Sequence, residues 1–180
     1  MLFRKINAGI SLLCTYLLLN HAILHAIWML SRGTLPKITT NSYQVVPWVL
    51  FGAMMLHAII SIVLAVLGHK GAEKCKCRSY PNLNRPTIIQ RVSGIALILL
   101  TMLHIAGTIG ILQPPQLVHA ILPPLFFTIS LMHTALSTSK AFITLGIGNA
   151  AFIKIADIAI KALCIVTLIA DITGFYLFLV

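Results

Sequence analysis

Long apolar stretches, separated by short polar connections, make up most of this chain of 180 residues. A stretch of about 18 or more apolar residues is long enough to cross a bilayer as a helix. Five such stretches occur, at about 8–31, 47–68, 92–112, 118–138 and 155–179. The sequence therefore predicts an all-α integral membrane protein with five transmembrane helices, forming one domain over residues 1–180.

The remaining composition agrees with a lipid environment. Only 9% of the residues are charged, whereas soluble globular proteins average about 25%. The connections between the apolar stretches are short, so no separate soluble catalytic domain is expected within these residues. The first apolar stretch follows Arg4 and Lys5 but is too long for the core of a cleaved signal peptide, so we expect a retained helix.

Basic residues are distributed unevenly among the connections. Six of them lie between the second and third stretches: Lys70, Lys74, Lys76, Arg78, Arg85 and Arg91. Only Arg32 and Lys37 lie on the opposite side of the predicted membrane. The positive-inside rule then predicts a cytoplasmic N-terminus and an external C-terminus. The net charge of +10 is thus a topology signal, and nucleic acid is not an expected partner.

Histidines are numerous for so apolar a chain. Six of the seven lie in or at the ends of apolar stretches: His21, His25, His57, His104, His119 and His133. Ionisable residues inside a membrane are costly and by default mark function. A single one could simply bond a neighbouring helix, but here each of the first four stretches carries at least one. Inward histidines of a four-helix bundle hold metal or haem, and imidazole is an axial ligand of haem iron. We therefore predict that the first four helices form a haem-binding bundle.

The first and third stretches cross the membrane in the same direction, so their histidines can be compared in depth. His21 lies 12 residues after Gly9, and His104 lies 10 residues after Gly94. At 1.5 Å per residue they are level within about 3 Å. The two imidazoles are therefore predicted to hold one haem, in the outer half of the membrane.

The second and fourth stretches run the other way and offer His57 and His133 for a second haem, nearer the cytoplasm. Counted back from Lys70 and Lys140, these histidines are 13 and 7 residues deep. The difference corresponds to about 10 Å of helix. A tilt, a misplaced connection or a kink at Pro123–Pro124 would absorb it. Two haems at two depths would form an electron path across the bilayer.

Polar residues lie at helical spacing from these histidines. Lys140 follows His133 by seven residues, about two turns, so it faces the same way and can pair with a haem propionate. Gln90 and Ser93 precede His104 by 14 and 11 residues and are candidate propionate hydrogen-bonding partners. The polar hinge at 90–94 is expected to orient His104. A simple anchor at the membrane edge is the alternative role for Lys140.

Several segments resemble one family, the dihaem cytochrome b anchors of succinate:quinone oxidoreductases that have a single five-helix anchor subunit. In that family a Gln-x-x-Ser/Thr-Gly hinge precedes a ligand histidine by ten residues, as QRVSG at 90–94 precedes His104 here. The segment LMHTALSTSK resembles the fourth-span pattern of a ligand, His133, followed by a base, Lys140. LHAIISIVL supplies His57, and QPPQ at 113–116 resembles the family's turn. LNHAILH aligns best with His21 as the ligand, leaving His25 one turn above it.

The resemblance implies a function. Two haem b groups would pass electrons between a cytoplasmic iron–sulfur and flavoprotein pair, which interconverts succinate and fumarate, and membrane quinone, expected to be menaquinone. The soluble partners would dock on residues 69–91 and 139–154, and the chain would do no substrate chemistry alone beyond quinone oxidation or reduction. The implied location is the bacterial cytoplasmic membrane. Candidate groups for a quinone site near the outer haem are His25, His119 and Asp171.

The fifth stretch matches the family poorly and carries charges. Asp157 and Lys161 are four residues apart on one helix face, so they are expected to pair. Some fumarate reductases of this type carry intramembrane glutamates, whereas the only glutamate here is Glu73, in a connection. Two alternatives stay open. One is a haem b anchor of a different dehydrogenase or reductase, and the other is a small transporter without haem that relays protons.

Overall fold

Five helices account for nearly all of the chain. The computed structural model describes residues 2–31, 41–74, 85–111 and 116–179, except for the side chains of 41–44, 68–74, 86, 116–120 and 178–179. The helices are α1 (Leu2–Leu30), α2 (Asn41–Lys74), α3 (Arg85–Thr108), α4 (Gln116–Leu145) and α5 (Ala150–Leu179). Helices and turns are the only elements in these ranges, so the predicted all-α class is confirmed.

Four of the helices are long and apolar enough to cross a membrane. Their spans are Leu2–Leu30, Val45–Leu67, Thr87–Thr108 and Ile121–Leu145. These spans indicate a multi-pass membrane protein, as the apolar stretches predict. Helix α5 has 30 residues but carries four charged side chains, and it is not among the candidate spans found in the described residues. The fifth crossing therefore stays a prediction.

The helices extend beyond the apolar stretches at their polar ends. Helix α2 continues to Lys74, six residues past the predicted end at 68, and α3 begins at Arg85, seven residues before 92. Hydropathy marks only the part of a helix that faces lipid, whereas the backbone hydrogen bonds continue into the polar region. Helix α4 also continues through Pro123 and Pro124, where the Thr128 hydroxyl donates to the Pro124 carbonyl at 2.7 Å.

The first four helices form a ring. Helix α1 packs against α2 and α4, and α4 packs against α3, while α2 and α3 touch only slightly. In the described residues no Cα atom of α1 comes within 8 Å of α3, and none of α2 comes within 8 Å of α4. Helix α5 packs outside this ring, in the groove between α1 and α4. The ring therefore encloses an interior that the two diagonal helix pairs face.

Two small apolar cores hold the helices together. Leu19, Leu131 and Cys164 join α1, α4 and α5, and Leu97, Leu100 and Phe126 join α3 and α4. Large apolar side chains on other faces are exposed, as in a protein surrounded by lipid. Small residues, including serine and threonine, let membrane helices approach closely. Seven serines and threonines are buried on α1, α4 and α5: Ser11, Thr15, Ser130, Thr134, Ser137, Thr138 and Thr167.

Candidate functional site

One histidine cluster lies between α1, α2, α3 and α4, and we call it the His133 cluster: His133, His57, Ser93, Gly94 and Asn7. The Ser93 Oγ and His133 Nδ1 atoms are 2.9 Å apart. A Cβ atom at Gly94 would lie 3.2 Å from His133 Cε1, so the missing side chain of Gly94 makes room for the imidazole. The hinge at 90–94 thus contacts His133 of α4, a contact that the sequence alone did not predict, and its orienting of His104 stays a prediction.

His57 lies on the opposite side of this cluster. It is half-buried and close enough to His133 for the two imidazoles to interact electrostatically. The backbone carbonyl of Asn7 lies beside the His57 ring, and the Asn7 side chain donates to Ser61 Oγ at 3.0 Å. The buried Nδ1 atom of His57 has no hydrogen-bond partner among the described residues. In the tautomer with the proton on Nε2, the lone pair of Nδ1 is available to a ligand from outside the chain.

Lys140 reaches the same end of α3. Its Nζ donates to Gln90 Oε1 at 2.5 Å and to Thr87 Oγ1 at 3.4 Å. The lysine therefore joins α4 to the hinge of α3 on the face that also bears His133. Lys140, Gln90 and Ser93 are the three residues predicted to contact haem propionates. All three lie in or beside the His133 cluster.

The second cluster lies between α1, α3, α4 and α5, and we call it the His104 cluster: His21, His25, His104, Phe126 and Asp171. His21 is close enough to interact electrostatically with both His25 and His104, and His104 also interacts with His25. The His104 ring stacks on Phe126, with centroids 4.8 Å apart and an interplanar angle of 10°. The structure therefore brings together the predicted pair His21 and His104, with His25 beside them.

His25 is held by a carboxylate. Its Nδ1 lies 3.1 Å from Oδ1 of Asp171, and its ring centroid is 5.0 Å from that of Phe127. The Asp171 side chain is only 1% exposed, and its Oδ2 atom has no partner among the described residues. A ligand histidine commonly donates its second ring nitrogen to a carboxylate. His25 consequently competes with His21 as the partner of His104, which the sequence alone also left open.

The two clusters lie at different depths. Ser93 in one and His104 in the other are 11 residues apart on α3, a rise of about 16 Å. The depth mismatch calculated from Lys70 and Lys140 does not keep His57 from His133. Because His57 and His133 interact, Lys70 and Lys140, which lie 13 and 7 residues beyond them, are not reference points at one level.

Three other predicted features have different outcomes. The side chain of His119, and all of residues 75–84 in the predicted docking face, lie outside the described residues. The predicted pair within α5 is confirmed, because Lys161 Nζ donates to Asp157 Oδ2 at 2.5 Å. Asp171 lies in the His104 cluster through its contact with His25.

Sequence reasoning missed the residues that surround the histidines. Asn7 precedes His21 by 14 residues and Phe126 precedes His133 by seven. These spacings place Asn7 on the same face of α1 as His21, and Phe126 on the same face of α4 as His133. Helical phase could therefore have identified both. Asn7 contributes a backbone carbonyl, whereas only the packing of α3 against α4 shows that Phe126 stacks on His104.

The paired imidazoles fit the requirements of a haem iron. The described residues contain no group of three or more His, Cys, Asp or Glu side chains arranged around a metal site. Two imidazoles from different helices are, however, sufficient as axial ligands of one haem iron. Buried unpartnered polar atoms occur near both clusters, and such atoms call for an explanation such as a bound group.

The comparisons with known proteins leave the family open. No protein-family model, no curated protein and no solved structure matches this chain. The likeness to dihaem anchors therefore depends on the motifs quoted above, and what the structure adds is two histidine clusters at two depths in a ring of helices.

Proposed function

We propose that this chain is a dihaem cytochrome b membrane anchor, an electron-transfer subunit of a succinate:quinone oxidoreductase. The observation that supports this proposal best is the arrangement of the histidines. Four successive helices each bring a histidine to the interior of the ring, and these histidines lie in two clusters about 16 Å apart along α3. Paired imidazoles from diagonal helices are the arrangement that two bis-histidine haems require.

His57 and His133 would hold one haem b, and His21 and His104 the other. When bound, each haem supplies one-electron exchange between ferric and ferrous iron. Neighbouring residues position the ligand histidines. Ser93 and Gly94 contact His133, and Phe126 stacks on His104. Lys140 and Gln90 would hold the propionates of the haem at the His133 cluster, since they already meet beside it.

The proposed electron path runs from one membrane face to the other. A cytoplasmic iron–sulfur subunit and a flavoprotein would dock on residues 69–91 and 139–154, where Arg85, Arg91 and Lys154 contribute positive charge. Membrane quinone, which we take to be menaquinone, would react near the His104 cluster. His25 and Asp171 are the proton-exchanging candidates there, with His119 as a third.

The proposal includes five membrane crossings in the bacterial cytoplasmic membrane, with the N-terminus inside. Helix α5 would be the fifth, because it packs along α1 and α4 over its length and buries Asp171 against α1. Its Asp157–Lys161 pair lies near the α4–α5 connection, where the headgroups of the cytoplasmic leaflet would accommodate it. Cysteine accessibility at Phe3 and Tyr176 tests this topology, since the two labels should react from opposite sides.

Haem content is the direct test of the proposed function. The full chain, purified in detergent after expression with haem supply, should show a reduced-minus-oxidised spectrum of haem b. The pyridine haemochrome assay should give two haems per chain. A preparation that is folded and helical by circular dichroism but binds no haem would disprove the electron-transfer proposal.

Two other functions are separable from this one. A haem b anchor of a different dehydrogenase would give the same spectrum, but a flavoprotein other than one acting on succinate would co-purify with it. A proton-coupled transporter without haem is favoured by one observation, the buried contact between His25 and Asp171. It would give colourless protein that moves protons in sealed vesicles.

A further inference from the structure

The contact between Ser93 and His133 determines which ring nitrogen of His133 carries the proton. Ser93 Oγ donates its only hydrogen to the Gln90 carbonyl at 3.1 Å. The same oxygen lies 2.9 Å from His133 Nδ1, and while its hydrogen is on the Gln90 carbonyl it can only accept from that nitrogen. The Gln90 carbonyl, which can only accept, also lies beside the imidazole. In this arrangement Ser93 selects the tautomer of His133 that carries the proton on Nδ1.

A neutral imidazole has one N–H and one lone pair. When Nδ1 carries the proton, Nε2 keeps the lone pair, and this is the nitrogen turned away from Ser93. The position of the ring is restricted as well, because Gly94 leaves only the space of a missing side chain against Cε1. Gly94 thus restricts the place of the imidazole, and Ser93, when it donates to Gln90, selects the tautomer.

We propose that Ser93 is a positioning residue that presents Nε2 of His133 as an iron ligand and lowers the reduction potential of the haem bound there. This inference depends on the proposed function and goes beyond it. A hydrogen bond donated by the distal ring nitrogen makes a ligand imidazole more basic. A more basic ligand favours ferric over ferrous iron, so the potential falls.

The His104 cluster provides the comparison within the same chain. His104 is held by stacking on Phe126, and stacking does not withdraw a proton from the ring. The hydroxyl of Ser93 therefore acts on one haem and not on the other. Its effect should be seen at the haem of His57 and His133 alone.

The sharpest test compares two substitutions of equal shape, Ser93→Thr and Ser93→Val, in the full chain with its haems. Threonine keeps the hydroxyl and valine lacks it, so packing strain in α3 is the same in both. In spectroelectrochemical titration, Ser93→Val should raise one of the two potentials relative to Ser93→Thr and leave the other unchanged. Haem affinity at that site should fall by roughly 10- to 100-fold. Ser130→Ala, an equally buried serine on α4, is the control and should change neither potential.

A second measurement does not require haem. Nitrogen-15 NMR of the histidine-labelled chain before haem is added, with His133→Gln for assignment, should show His133 protonated on Nδ1 in wild type and Ser93→Thr. Loss of that preference in Ser93→Val supports the proposal. If the chain binds no haem but shows the expected tautomer, the proposed function is contradicted. That result would still support the role of Ser93 in setting the tautomer. Equal potentials in Ser93→Thr and Ser93→Val, with both haems bound, would overturn the inference.

Discussion

His25 on α1 and Asp171 on α5 are in contact between the two helices, with Nδ1 and Oδ1 3.1 Å apart. This contact joins the last helix to the first within the His104 cluster. Both groups lose water when the helices pack, and Asp171 is 1% exposed. The same two side chains therefore affect both the stability of the protein and the chemistry of the cluster.

Removing the carboxylate should destabilise the protein. In Asp171→Ala the His25 ring loses its partner, and leaving a buried polar group unsatisfied costs about 1–3 kcal/mol. Asp171→Asn, which keeps an acceptor oxygen, should lose less. Thermal unfolding in detergent, followed by circular dichroism, measures the difference. Asp157→Ala on the same helix is the matched control. Its partner Lys161 is 46% exposed, and an exposed pair contributes at most about 1 kcal/mol.

If the chain binds two haems as proposed, the histidine substitutions should fall into two groups. His104→Ala and His21→Ala should remove the same haem, because the two imidazoles lie in one cluster, and His57→Ala and His133→Ala should remove the other. Each variant should keep one haem per chain by pyridine haemochrome. If His25→Ala loses a haem and His21→Ala keeps both, then His25, supported by Asp171, is the ligand on α1.

Gly94→Ala should disturb only the haem bound by His133. The added Cβ would lie 3.2 Å from Cε1 of the imidazole, so the ring must move by a few tenths of an ångström. Gly107→Ala on the same helix is the control, since its Cβ would meet nothing within 4 Å. We expect a changed low-spin ferric signal in electron paramagnetic resonance for Gly94→Ala and a wild-type spectrum for Gly107→Ala. Identical spectra of the two variants would contradict the inference that Gly94 makes room for the imidazole of His133.

Lys140→Met should lower the potential of the haem at the His133 cluster. A positive charge beside a haem favours the ferrous state, which carries one positive charge less than the ferric state. Lys140 lies at this cluster through Gln90, 2.5 Å away. Lys161→Met removes the same charge from an exposed position on α5 and should leave both potentials unchanged. A redox titration of the two variants side by side decides between a cofactor role and an anchor at the membrane edge.

Gly174 allows α5 to approach α1. A Cβ there would lie 2.9 Å from Met29 Cβ and 3.2 Å from the Leu30 backbone nitrogen, and backbone atoms cannot move aside easily. Gly174→Ala should therefore separate the helices at this point and destabilise the protein by about 1–3 kcal/mol. Gly52→Ala, where the new Cβ meets nothing within 4 Å, should not. The two unfolding temperatures in detergent provide the comparison.

Much of the fold could be predicted from local features of the chain. Apolar runs of membrane length predict helices because lipid leaves backbone groups no partner outside the helix. The positions of five helices follow from this rule, as does the pairing of Asp157 with Lys161, which are one turn apart. The end of α2 at Lys74 and the start of α3 at Arg85 do not follow from it. Hydropathy does not detect helical backbone beyond the apolar core.

The constant rise per residue of a helix predicted similar depths for His21 and His104, but it gave a difference of about 10 Å between His57 and His133. The residues alone did not indicate what lies between helices. Ser93 is on α3 with His104, yet it contacts His133 of α4, and the carboxylate that holds His25 comes from α5. Only the packing of one helix against another brings these atoms together, because helical phase gives the direction of a side chain but not the neighbour it meets.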